Sequence, residues 1–89
     1  MPPTCHNHPK HIAGITDMQV LAEMIGDLHY ETLTELLKHL SAKIGADAKK
    51  DLAGGRVNLA SKLHHAHYCI SRAHEHMNEA WKISEGYMK

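Results

Sequence analysis

Alanine recurs every seventh residue through the second half of this chain, at Ala66, Ala73 and Ala80, and larger apolar residues fall between at steps of three and four. The full row reads Leu59, Leu63, Ala66, Ile70, Ala73, Met77 and Ala80, which is the a/d repeat of helices that pack along their length. Small side chains at every d position let a second backbone approach closely. The row commits this region to one helix, from about residue 57 to residue 85, with Gly86 as a stop.

A second helical pattern precedes it. Leu36, Leu40, Ile44, Ala48 and Leu52 recur every fourth residue, and Leu33 and Leu37 widen the stripe at its start, so residues 28–53 read as one amphipathic helix capped by Asp27. Ala42, Gly45, Ala46 and Ala48 thin its later surface, at a helix-propensity cost of roughly 1 kcal/mol for Gly45. Gly54-Gly55 then interrupts the pattern and permits a tight reversal. An antiparallel hairpin closed there sets Ile44 near Ala66, Leu40 near Ile70, Leu37 near Ala73 and Leu33 near Met77, large against small at two layers.

A shorter helix over residues 17–25 starts at a Thr16 or Asp17 cap, carries Val20, Leu21, Met24 and Ile25, and ends at Gly26 in a left-handed conformation. Folded over the open end of the hairpin, it would set Val20, Leu21 and Met24 against Ala80, Trp81, Ile83 and Tyr87. Residues 1–15 hold all three prolines with Cys5, His6, His8 and His11 and show no apolar period, so they read as an irregular His-rich arm. The fold class is therefore all-α: two long helices in a hairpin, a short N-terminal helix, one domain over residues 16–89.

The chain has 89 residues and no phenylalanine, so leucine, isoleucine, methionine and alanine must supply nearly all the buried volume. A chain this short buries little more than about 60% of its extended surface, near the lower limit for a lone core. A hairpin also leaves apolar residues on both sides of its seam. A symmetric homodimer forming a four-helix bundle resolves both problems.

Ten acidic and ten basic side chains cancel, and no segment carries the basic surplus of a phosphate-tracking surface, which argues against general nucleic-acid binding. No apolar run reaches a membrane span of about 18 residues and no charged head with an apolar stretch opens the chain, so a cytoplasmic location is expected. Two cysteines, Cys5 and Cys69, fit no disulfide framework and suit a reducing compartment.

Ten histidines are the compositional anomaly. Directly after the d alanines stand His67, His74 and Trp81, and before the a residues stand Cys69, His76 and Ile83, all flanks where a neighbouring helix is met. His67, His74, His76 and Trp81 are thus the candidate partner-binding residues, combining apolar area with hydrogen bonding. Histidines packed there in neutral form would make stability acid-sensitive.

A divalent transition metal, Zn or Ni, is the alternative ligand. His64 and His67, three apart, and Glu35 and His39, four apart, each project from one helical face, and the hairpin brings Glu35 and His39 towards His74. The arm's Cys5, His6, His8 and His11 form a second possible ligand set. The chain contains no G-x-S-x-G elbow, phosphate-cradling glycine loop or H-E-x-x-H pair, and Cys69 reads as a small packed thiol. The sequence thus points to a non-enzymatic helical binding protein, an adaptor, regulator or inhibitor, with a metal- or small-ligand-binding bundle as the alternative.

Overall fold

The structure, a computed structural model, describes residues 8–88 and is all-helical, with three helices and no strand among the described residues. These are α1 (Met18–Gly26), α2 (Tyr30–Ala53) and α3 (Val57–Ser84), and the two long ones pack side by side as an antiparallel hairpin. Ahead of α1 the arm is irregular, turning at Gly14 (φ 82°) with one bridge between Ile12 and Ile15.

Each helix end has a local cause. Asp17 caps α1 by accepting the Gln19 amide at 2.9 Å. Gly26 closes α1 without left-handed backbone, contrary to expectation; only Gly14 and Gly55 have positive φ among the described residues. Asp27 is the C-cap of α1 rather than the N-cap of α2. That N-cap is His29, whose Nδ1 accepts the Glu31 amide at 3.1 Å, so α2 begins two residues later than the sequence predicts.

At the reversal, the amides of Gly54, Gly55 and Arg56 turn back onto the carbonyls of Lys50, Leu52 and Asp51. Gly55 supplies the positive φ, 85°, that this turn requires. Arg56 locks it by donating from Nε to the Asp51 carboxylate at 2.7 Å.

The cross-hairpin register matches expectation, because Ser41 meets both His67 and Ser71. The rotation of the helices about their axes does not. The α3 residues turned towards α2 are Ala60, Leu63, His67, Ile70, His74, Met77, Trp81 and Ser84, whereas Leu59, Ala66 and Ala73 are exposed. On α2 the buried row is Thr34, Ser41 and Ala48, seven apart, and Leu36, Leu40 and Leu52 of the i+4 row are exposed. Small and polar residues thus share the seam with half-buried Leu37, Leu63, Ile70, Met77 and Trp81, while Leu40 and Leu59 stand exposed to one side of it and Leu52 lines the groove on the other.

The open end is not closed by α1. The Trp81 ring packs against the His29 ring with centroids 4.8 Å apart, and Met88 returns its sulfur to within 3.1 Å of the Tyr30 amide. Ile83 and Tyr87 stay exposed, as do Val20 and Met24, and α1 has no buried residue. The molecule is a thin slab, 51 × 28 × 14 Å, with a radius of gyration of 15.7 Å. A compact chain of this length would have about 12 Å. Among the described residues no large side chain is fully buried, and the buried apolar residues are Ala48 and Ala60. No helix of the described residues is long and apolar enough to cross a membrane.

Candidate functional site

The two broad faces of the slab differ in chemistry. On one, Ile44 shares a depression of about 570 Å³ with Leu59 and Leu63, flanked by Lys43 and Asp47 and reached by His8 of the arm. Helical spacing carries this side along α2 to Leu40, Leu37, Leu36 and Leu33, and along α3 to Ala66, Ile70, Ala73 and Met77. Leu40 and Leu59 are 42% and 43% exposed, so each leaves a large part of its side chain at the surface. Of the heptad row in the sequence, Leu59, Ala66 and Ala73 are exposed on this face, while Leu63, Ile70 and Met77 are half-buried where it borders the seam.

The opposite face carries a groove of about 600 Å³ between the turn-side halves of α2 and α3. Its floor is small, Gly45, Ala48 and Ala60, with Leu52 and Val57 exposed at its turn end and His64 and His67 at the other. His67 is anchored. Its Nδ1 lies 2.7 Å from the Ser41 carbonyl oxygen, which can only accept, so Nδ1 carries the proton and donates. Ser41 Oγ donates to the His67 carbonyl at 3.3 Å and accepts from the Ser71 hydroxyl. The buried Ser41 is thereby satisfied, as a polar seam residue must be.

Gly45 makes this arrangement possible. A Cβ at that position would lie 2.8 Å from His67 Nδ1 and 2.9 Å from Cε1, so any other residue would collide with the ring. The mid-helix glycine that looks costly in sequence is the opening through which an imidazole reaches the backbone of α2.

The candidate residues therefore separate. His67 and His74 are half-buried in the hairpin seam and Trp81 stacks at its open end, so these three serve intramolecular packing. His76 is exposed on the outside of α3, 3.3 Å from Glu79. Of the metal candidates, Glu35 and His39 form an exposed pair at 4.0 Å, away from His64 and His67, whose ring centroids are 6.0 Å apart. No three His, Cys, Asp or Glu side chains among the described residues converge on a metal-sized site, so Glu35, His39 and His74 do not join the other two. Cys5 and His6 lie outside the described residues, and His8 and His11 are exposed. Cys69 is an exposed free thiol, not a packed one, because the rotation of α3 turns it outward.

Among the described residues, two ionisable groups depart from their ordinary behaviour. Asp47 is held below the usual carboxylate value because Lys43 Nζ donates to both its oxygens, at 2.6 and 2.8 Å. Arg72 is raised by its hydrogen bond to the Tyr68 hydroxyl at 3.1 Å, with Glu75 adding to it. Neither creates a reactive group. The residues that sequence reasoning missed are those of the leucine–alanine face as a surface: their period was visible, and only their orientation was not. Comparison with protein-family models, curated proteins and solved structures finds no match.

Proposed function

We propose that the protein is a small, non-enzymatic helical binding module that acts through protein–protein contacts and whose first partner is a second copy of itself. One observation carries this reading: Leu36, Leu40 and Leu59 are exposed on one face, bordered by half-buried Leu33, Leu37, Ile44, Leu63, Ile70 and Met77, and no other part of the described chain covers them. Removing one leucine side chain from water is worth about 1.5–3 kcal/mol, so a face with Leu36, Leu40 and Leu59 exposed carries strong drive to associate. The alanines at positions 66 and 73 lower the surface between the leucines and let a partner helix approach closely. Two slabs docked by this face make the four-helix bundle, with each chain's histidine groove left outward.

The exposed Cys69 thiol suits a reducing compartment, and we place the protein in the cytoplasm on that ground. As adaptor, regulator or inhibitor, it would meet other helical partners by the same face. Sedimentation equilibrium on the full chain tests the reading, with a dimer expected at micromolar concentration. A folded monomer that stays monomeric as concentration rises would overturn it.

A further inference from the structure

We propose that His64 and His67 form a site for a divalent late first-row transition ion, two imidazoles supplying the protein ligands and the open groove leaving the remaining positions to water or an incoming small ligand. The site lies on the face opposite the one assigned to the second copy, so it stands independently of dimerisation.

The first support is the state of His67. Because Nδ1–H is engaged by the Ser41 carbonyl at 2.7 Å, the neutral ring presents its lone pair at Nε2. A ligating histidine ordinarily donates its other ring N–H to a carbonyl or carboxylate, which fixes the tautomer and aims the ring. Here that outer support is already built, and Gly45 clears the space for it.

The second is the partner. His64 is three residues earlier on the same helix and lines the same groove, with its ring centroid 6.0 Å from that of His67 and the rings tilted by 41°. At metal–nitrogen distances of about 2.0–2.1 Å, two imidazoles sharing one ion at about 90–109° hold their centroids roughly 4.5–5 Å apart, so a rotation of the exposed His64 that brings the rings about 1 Å closer completes the pair. Imidazole pairs of this kind suit Zn²⁺, Ni²⁺ and, most strongly, Cu²⁺. With only two protein ligands, the ion keeps exchangeable positions facing the groove.

Zn²⁺ titration of the full chain, read by the ¹⁵N resonances of individual imidazoles, tests this and separates the site from the histidines of the arm. His67 Nε2 and one nitrogen of His64 are expected to move together and saturate at one ion. His64→Ala, an exposed substitution that leaves the fold intact, is expected to weaken the response at His67 by at least about tenfold, the scale on which even outer-shell losses act. His65→Ala, on the neighbouring exposed position, is expected to change nothing. A His67 resonance that does not move when the arm histidines are saturated would overturn the proposal, as would equal affinity at His67 in the His64→Ala chain.

Discussion

The two broad faces of the hairpin are made by the same two helices, yet one carries exposed Leu36, Leu40 and Leu59 and the other a groove floored by glycine and alanine, with Leu52 and Val57 at its turn end and an anchored imidazole at the other. The difference teaches that apolarity alone does not choose the seam, which half-buries Leu63, Ile70, Met77 and Trp81 beside its polar groups. Volume and hydrogen bonding act with it: Thr34, Ser41 and Ala48 let α3 come close, and His67 fills the space opposite Gly45. Leu36, Leu40 and Leu59 are left exposed to one side of that approach, and Leu52 to the other.

The largest expected effect breaks the stripe. Leu40→Asp places a carboxylate in the proposed dimer core, where each lost leucine costs about 2–5 kcal/mol and a symmetric dimer loses two. The dimer should weaken by about 4 kcal/mol or more, measured as a shift in association constant, with thermal stability becoming concentration-independent. Were Leu40 simply a surface residue, the change would stay within about 0.5 kcal/mol.

Next in size is a sign reversal on the groove face. Gly45→Ala removes a helix penalty of about 1 kcal/mol but drives a methyl into the His67 ring, an overpacking cost of about 1–3 kcal/mol, so the chain should lose about 1 kcal/mol or slightly more. In a His67→Ala background the same Gly45→Ala change should stabilise by about 1 kcal/mol. Denaturant unfolding of the four chains in a double-mutant cycle reads the coupling, and additivity would mean that the ring does not depend on Gly45.

Helix existence, the glycine reversal and the cross-hairpin register were all legible in the sequence, because Gly54-Gly55 and two long apolar periods leave few alternatives. Helical phase was not. Leu63, Ile70 and Met77 complete a heptad either with Ala66 and Ala73 or with His67 and His74, one residue further on, and apolarity selects the alanines. The structure selects the histidines, since a ring that hydrogen-bonds the opposite backbone is as good a seam residue as an alanine. The signal was Gly45: a glycine within a long helix, level with His67 across the hairpin, marks a place where something bulky approaches. The docking of α1 was illegible for a different reason. Its apolar residues share one face, but a single short face does not say which surface it meets, and none of them becomes buried.

That loose attachment separates local from global stability. Asp17→Ala removes a cap worth about 1 kcal/mol to α1 itself. Hydrogen exchange at the Gln19 amide should accelerate several-fold while global unfolding of the hairpin stays in place. A matching drop in global stability would show α1 folding as one unit with α2 and α3.

The smallest effect belongs to the edge of the leucine face, where Lys43 and Asp47 pair. Asp47 titrates below its ordinary value of 3.8 because Lys43 stabilises the charged carboxylate, so its contribution is present above 3.8 and lost as pH falls through the lower folded value. Asp47→Asn should therefore melt slightly below the parent chain at neutral pH and together with it in strong acid. Added salt should narrow the neutral-pH gap, since the pair is exposed and screened. The Leu40→Asp loss, which arises from unburied apolar surface, should survive the same salt. A gap at Asp47 that persists in high salt would mean that this edge is covered by a partner, placing Lys43 and Asp47 inside the dimer interface rather than at its rim.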